Sequence, residues 1–451
     1  MKGELFLTKR DHFGSKIGFI LAAAGSAIGL GAIWKFPYMA GTNGGSVFLI
    51  LFIISTLLIG LPILLAEFVI GRRGQADPVT SLKKQAPDKP WYLIGWSGLL
   101  FSSIILSFYS VVGGWILSYL VRSIFFKLKG GSDNYFSELF GSIIQNPWEV
   151  IIAQGVFMLL TIWIVQGGIK GGIERASKWM MPLLFVFFIA LVIRSLTLDG
   201  AIEGLKFMFV PDWSYFNGKT ILLALGQAFF SLSVGVAVMI TYASYLSKEE
   251  KLGSSSLNVA LMNIGVSILA GLVIFPAVFA LGYTPDQGPG LVFIILPAVF
   301  EQIPFGAFFM IIFFILLLFA TLTSSISMLE ISVSTGIRSN YEGRRKASWI
   351  YGLVIFLVGI PSALSFGVLS DIHILGMTFF DFADFLTSSF GLPLGALCIS
   401  IFAGFKLTKE QLSNELMLNK PLFNAWHIIV RYVAPLAIII IFVQGIIKLF
   451  M

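Results

Sequence analysis

The sequence predicts an all-α membrane protein that crosses the bilayer many times, built as one unit. Three features carry that expectation. Of 451 residues, 57% are hydrophobic, only 12% are charged, and mean hydropathy is +0.92. A soluble domain carries about 25% charged residues. The apolar residues also gather into eleven runs, each near or above the roughly 20 residues a helix needs to cross the hydrocarbon. Finally, Lys and Arg cluster in every second connection between those runs, the pattern that orients spans in a bilayer.

In chain order the runs are residues 16–37, 44–70, 92–125, 148–167, 172–195, 217–247, 256–282, 305–337, 347–367, 376–404 and 424–449, here segments 1 to 11. With the N-terminus inside, the inner stretches hold 21 Lys and Arg against 7 outside; Lys35 and Arg431 lie within segments. This predicts a multi-pass protein of the cell membrane, N-terminus cytoplasmic and C-terminus extracellular. The net charge of +7 therefore reads as sidedness in a lipid bilayer, and nucleic acid is not an expected partner. The first run shows no small-residue cleavage pattern, so the start is expected to feed directly into segment 1. Stretch 283–304, "YTPDQGPGLVFIILPAVFEQIP", is too interrupted to cross and is expected to form a re-entrant or surface hairpin over the outer side. The single Cys398 excludes a disulfide framework, and the scattered His12, His373 and His427 argue against a histidine metal site.

Two segments carry their own breakers. Segment 1 holds Gly25, Gly29 and Gly31, then Lys35 and Pro37. Gly25 and Gly29 form a GxxxG pair, so tight helix packing is one reading. Segment 6 changes the balance: "LALGQAFFSLSVGVAVMITYASYL" places Gly226, Ser231, Ser233 and Gly235 mid-span. Segments 1 and 6 correspond if residues 16–195 and 217–404 are two five-helix halves, with 424–449 as an extra helix. Matched interruptions point to a site at the bilayer midplane. Irregular backbone is tolerated there only when buried or lining a cavity. Freed N–H groups at a helix end suit a carboxylate, and freed carbonyls suit a cation.

Nine stretches, in order, resemble the bacterial neurotransmitter:sodium symporters of the LeuT-type fold. They are "GSAIGLGAIWKFPY", "NGGSVFLI", "GLPILLAEFVIGRRG", "SFYSVVGGW", "FFSLSVGVAVMITYASYL", "AGLVIFPAVFALG", "GPGLVFIILPAVF", "FATLTSSISMLE" and "DFADFLTSS". Discontinuous helices in matching positions of two halves are a feature of that fold. The resemblance spans nearly the whole chain. It implies eleven transmembrane helices in a five-plus-five inverted repeat. It also implies Na⁺-coupled import of a neutral, apolar L-amino acid by alternating access, with no enzymatic chemistry. A sodium-independent or proton-coupled carrier on the same fold is the nearer rival, motivated by Ala32 and Arg338. A non-transporting sensor is the more distant one.

The resemblance assigns residues one by one. The second sodium site falls on Gly25, Ile28, Ala320, Thr323 and Ser324; simple bonding of Thr323 and Ser324 to the preceding turn is the competing reading. The first sodium site falls on Ala27, Ser231 and Asn263. It lacks one side-chain ligand because Ala32 stands where the family usually has Asn. The substrate is expected to meet Ala27, Leu30, Gly31, Tyr109, Phe230, Ser231 and Ser233 at its polar ends, and Tyr109, Phe230, Ile105, Val236 and Met328 along its side chain. Plain interhelical packing is the alternative for the last three. Ala237 stands where a second Gly is common and is expected to take room beside the unwound stretch. Lys35 with Asp384 is expected to form the outer gate, the alternative being a Lys35 that snorkels outward. Glu67 is expected to brace the backbone of segment 1 or 6. Segment 7 has no carboxylate, which leaves chloride dependence open. At the inner end Arg10 is present, but Arg338 occupies the family's acid position, so either another acid, such as Asp11 or Glu342, substitutes or the inward closure is weaker. The spacing from Gly172 to Pro182 implies a segment 5 whose inner end can unwind.

Overall fold

The computed structural model describes residues 11–128, 134–285, 290–338 and 341–450. Arg10 lies outside the described residues. Among those described, the regular secondary structure is helical, apart from one isolated bridge between Ile374 and Met377.

Among the described residues, nine helices are long and apolar enough to cross a membrane: Ser46–Gly74, Tyr92–Ile124, Pro147–Val165, Ile169–Leu196, Leu252–Ala280, Gly306–Ile337, Arg344–Ala363, Phe379–Lys406 and Lys420–Val443. They are segments 2–5 and 7–11, with ends moved by a few residues. Segment 1 is a bent pair, Lys16–Ala27 and Gly31–Thr42, meeting at 49°. Segment 6 is broken outright into Gly218–Leu232 and Val238–Ala243. Neither piece is long enough to span alone, so the predicted count of eleven reduces to nine straight spans, one bent pair and this broken segment.

The local chemistry explains the ends. Ser15 caps segment 1, its side chain accepting from the Gly18 N–H at 3.0 Å. Asn146 accepts from the Trp148 and Glu149 N–H groups, and Pro147 takes the first helical turn, where no N–H is needed. Segment 6 breaks because Ser233, Gly235 and Ala237 all have positive φ, at 53°, 93° and 61°. Gly235 is required on two counts: its φ, and the backbone of Leu392 and Ala396 in segment 10, which fills the place of a Cβ.

Segments 3 and 8 run side by side through the centre, and the breaks of segments 1 and 6 pack against them. The periphery is apolar instead of charged, with Leu58, Ile152, Ile189 and Leu357 among the exposed side chains. Lipid covers such surface, so it is not an aggregation patch. In stretch 283–304, residues 291–302 form one helix, a π turn at Leu291–Ile295 running into Leu296–Gln302, and residues 286–289, where a hairpin would turn, lie outside the described residues. Phe293 docks it on segment 3, edge-on to Trp115 at 5.9 Å and stacked on Phe140 at 5.2 Å. The inner end of segment 5 is wound, through a π turn at Ile169–Glu174 that continues into Arg175–Leu196.

Candidate functional site

The two interruptions face each other across a small cavity of about 40 Å³. Segment 1 contributes Ser26, Ala27, Gly29, Leu30 and Gly31, and segment 3 contributes Ile105 and Tyr109. Segment 6 adds Phe230, Ser233, Val236 and Val238; segments 8 and 10 add Ser324, Met328 and Leu392. Of the residues assigned to substrate from the sequence, all but Ser231 line this space. Ser231 is buried behind it, beside Asn263. Ala237 does not line it either. Its methyl occupies the place of a Cβ on Gly98, so it packs towards segment 3 instead of reducing the cavity.

The polar edges are held in place by crossing bonds. The Leu30 N–H donates to the Tyr109 hydroxyl at 3.1 Å. Ser233 donates to the Ser26 carbonyl at 3.1 Å, and the Gln227 amide donates to the Gly31 carbonyl at 2.6 Å. Gly29 lets these elements meet: a Cβ there would collide with the Ser324 and Tyr109 hydroxyls. Glu67, fully buried, accepts from the Gly235 N–H at 2.6 Å and so anchors the irregular stretch of segment 6.

Two clusters of neutral oxygens flank the cavity. In the first, Ser324 donates towards the carbonyls of Gly25 at 3.3 Å and Ser26 at 3.0 Å, bridging segments 8 and 1. Thr323 donates to the Phe319 and Ala320 carbonyls at 3.1 and 2.9 Å, a back-bond within its own helix. Ile28 is buried at the helix end, with ψ of 62°. In the second, Asn263 Nδ2 donates to Ser231 Oγ at 3.0 Å, while Asn263 Oδ1 is buried without a donor. An orphaned buried carbonyl oxygen costs free energy unless something electropositive meets it. Both donor sets are all-oxygen, the chemistry of a hard cation. No group of three or more His, Cys, Asp or Glu among the described residues is placed to hold a metal.

Above the cavity, Lys35 Nζ stands 3.9 Å from Asp384 Oδ1. Ser388 lies between them, donating to Asp384 at 2.8 Å and 3.5 Å from Lys35. Lys35 also sits 4.1 Å over the Phe230 ring, a cation–π contact that ties the pair to a cavity wall. Asp381 pairs instead with Thr378, capping its own helix.

The opposite end departs from the sequence reading. Arg338 and Glu342 are exposed. Asp11 accepts from the Ile169 N–H at 2.6 Å and so holds segment 5; among the described residues it forms no ion pair with an arginine. The buried acid is Glu330. It takes both guanidinium nitrogens of Arg344 and the Tyr245 hydroxyl, the latter at 2.7 Å. Arg344 Nε donates on to the Val165 carbonyl at 3.1 Å. Sequence reasoning missed this group. The available signal was a carboxylate inside "SSISMLEISVSTG", which needs a partner in a membrane. It also missed Glu174, which accepts from the Gly14 N–H at 2.6 Å and from Ser15 at 2.9 Å while pairing with Lys178 at 2.6 Å.

A helical membrane bundle in which two broken helices enclose a small cavity, flanked by neutral oxygens, is a transporter architecture of the LeuT type. The chain belongs to the sodium:neurotransmitter symporter family, whose profile matches residues 10–138 and 134–450. Among its relatives is the uncharacterized sodium-dependent transporter YhdH of Bacillus subtilis (strain 168), 53% identical over 440 residues, covering 97% of this chain and 98% of YhdH. The sodium-dependent serotonin transporter of Drosophila melanogaster is 27% identical over 492 residues, covering 97% and 76%. The crystal structure of MhsT in complex with L-phenylalanine is similar to this structure with a TM-score of 0.91. The two chains share 46% identity over 97% of this chain and 100% of MhsT.

Proposed function

We propose that this protein is a sodium-coupled symporter that imports a neutral, apolar L-amino acid, with the N-terminus cytoplasmic and segments 1–5 and 6–10 as the two inverted halves. The observation that carries the reading is the cavity between the two breaks, apolar along Ile105, Val236 and Met328 and polar at the broken backbone. The L-phenylalanine bound to MhsT supports an amino acid of that polarity. The carboxylate takes the N–H groups at Leu30 and Gly31 and the Tyr109 hydroxyl. The ammonium faces the carbonyls of Ala27 and Phe230, with Ser233 beside it.

Sodium ties segment 1 to segment 8 through Gly25, Ile28, Ala320, Thr323 and Ser324. For this, the hydroxyl hydrogens of Thr323 and Ser324 turn away from their present acceptors and offer lone pairs. The weaker site uses Ala27, Ser231 and the orphaned Asn263 Oδ1, without an amide at Ala32. Each charge moving inward contributes about 2.3 kcal/mol per 100 mV, before any concentration gradient. Lys35, Ser388 and Asp384 form the outer gate.

Thermal-shift measurements with the twenty amino acids, in Na⁺ and in choline, test the reading, because a ligand that binds the folded state raises its melting temperature. Apolar amino acids are expected to stabilise in Na⁺ only. Equal stabilisation in choline would select a sodium-independent carrier, the reading Ala32 motivates; stabilisation by charged amino acids alone would reject the substrate class. Val236→Phe is expected to shift the preferred ligand towards smaller side chains by at least about tenfold in affinity, the scale of a steric conflict worth some 1.4 kcal/mol.

A further inference from the structure

A groove of about 580 Å³ opens where segment 4 ends and segment 5 begins, far in sequence from the cavity residues. Its walls are Trp163, Ile164, Ala176 and Trp179, and its polar edge is Gln166 and Arg175. The glycines at 167, 171 and 172 leave the floor without side chains, and a Cβ at Gly171 would meet nothing within 4 Å. Trp163 and Trp179 are each 69% exposed. Trp349 joins them at this end, its indole N–H donating to Gln166 at 3.1 Å. Exposed indoles at one end of membrane-crossing helices mark the level of the lipid headgroups.

The charge there is uneven. A second hollow of about 270 Å³ shares Arg175 and Trp179 with the groove and is edged by Lys170 and Lys178. Lys178 is neutralised by Glu174, whose oxygens are also taken by Gly14 and Ser15. No ion pair among the described residues involves Lys170 or Arg175. Among the described residues, the rim between the two hollows therefore carries two cations outside any ion pair, above apolar walls.

We propose that this groove binds one anionic phospholipid, its phosphate held by Arg175 and Lys170 and its acyl chains running between Trp163 and Trp179. Guanidinium geometry suits a phosphate, which accepts two parallel N–H bonds. A free phosphate would leave the apolar walls uncovered, and a neutral lipid would leave the cations unmatched. On the proposed orientation the groove faces the cytoplasmic leaflet, which concentrates anionic lipid. The inference does not depend on sodium or on the transported molecule.

The test is native mass spectrometry of the full chain, purified in detergent and incubated with mixed micelles of phosphatidylglycerol and phosphatidylcholine in equal amounts. The wild type is expected to retain one phosphatidylglycerol in preference to phosphatidylcholine by about tenfold. Lys170→Ala with Arg175→Ala is expected to abolish that preference. Gly171→Phe, which fills the groove and leaves the charges in place, is expected to reduce retention of both lipids. Melting temperature checks that each variant is folded, and Gly171→Phe decides the matter if the double variant is not. Equal retention of the two lipids by the wild type, unchanged preference in the folded double variant, undiminished retention in folded Gly171→Phe, or displacement by millimolar inorganic phosphate would each overturn the proposal.

Discussion

The two ends of the bundle close in different ways. At the Lys35 end the charges are 3.9 Å apart, a serine stands between them, and the side chains are 19% and 40% exposed. At the other end Glu330 is fully buried, Arg344 is 9% exposed, and the pair is forked, with a tyrosine and a carbonyl satisfying further positions. A second clasp lies beside it. Asp11 holds the first turn of segment 5, and Glu174 of that turn holds the start of segment 1. Exposed pairs separate at little cost because water replaces each partner. A buried pair separates only when water reaches both charges. The Lys35 end can therefore open by side-chain movement, whereas the Arg344 end opens only with movement of whole helices.

Breaking the buried pair tests this most severely. Glu330→Ala is expected to destabilise the protein by about 3–5 kcal/mol, because Arg344 is left buried and unpaired. Replacing both residues with Met is expected to recover most of the loss. Melting temperatures in detergent read both, and a Glu330→Ala loss below about 1 kcal/mol would erase the contrast between the ends. Next in size, Thr323→Ala with Ser324→Ala removes the hydroxyls that join segment 8 to segment 1. Apparent Na⁺ affinity, read from Na⁺-stimulated ligand binding, is expected to weaken at least about tenfold with the fold intact.

Glu174→Gln keeps the shape but not the charge, weakening the bonds to Gly14, Ser15 and Lys178 by about 1–2 kcal/mol in total. Hydrogen exchange at residues 14–18 should rise by a matching factor, while exchange near Lys35 stays unchanged. The smallest stability change belongs to Asp384→Asn, below about 1 kcal/mol for a pair this exposed. Its uptake rate is nevertheless expected to fall severalfold. A large loss of stability instead would show that both ends are structural clamps.

Much of this was legible in the chain. Apolar length and spacing gave the segments, because a helix must satisfy its own backbone in lipid. The breaks were legible too: Gly29 and Gly31 before Lys35, and Gly235 between Ser233 and Ala237. The cavity was less so. Its lining comes from five segments up to about 365 positions apart, and only the family resemblance gathered Tyr109, Phe230 and Met328 into one place. The resemblance also misdirected. It drew attention to Arg338 and its missing acid, while Glu330 and Arg344, 14 positions apart, met across the turn between segments 8 and 9. Ala237 was assigned to the cavity by its position in a motif, but its left-handed backbone turns the methyl towards Gly98.

Residence in a bilayer, the course of the helices and the two places where they fail all followed from the order of amino acids, since hydropathy and backbone satisfaction are local. Tertiary packing settled the rest: which oxygens face one another, which carboxylate meets which arginine, and which tryptophans edge a common groove. Those outcomes depend on how helices distant in the chain approach, and close approach is set by packing at glycines such as Gly29 and Gly235, not by any property of a single segment.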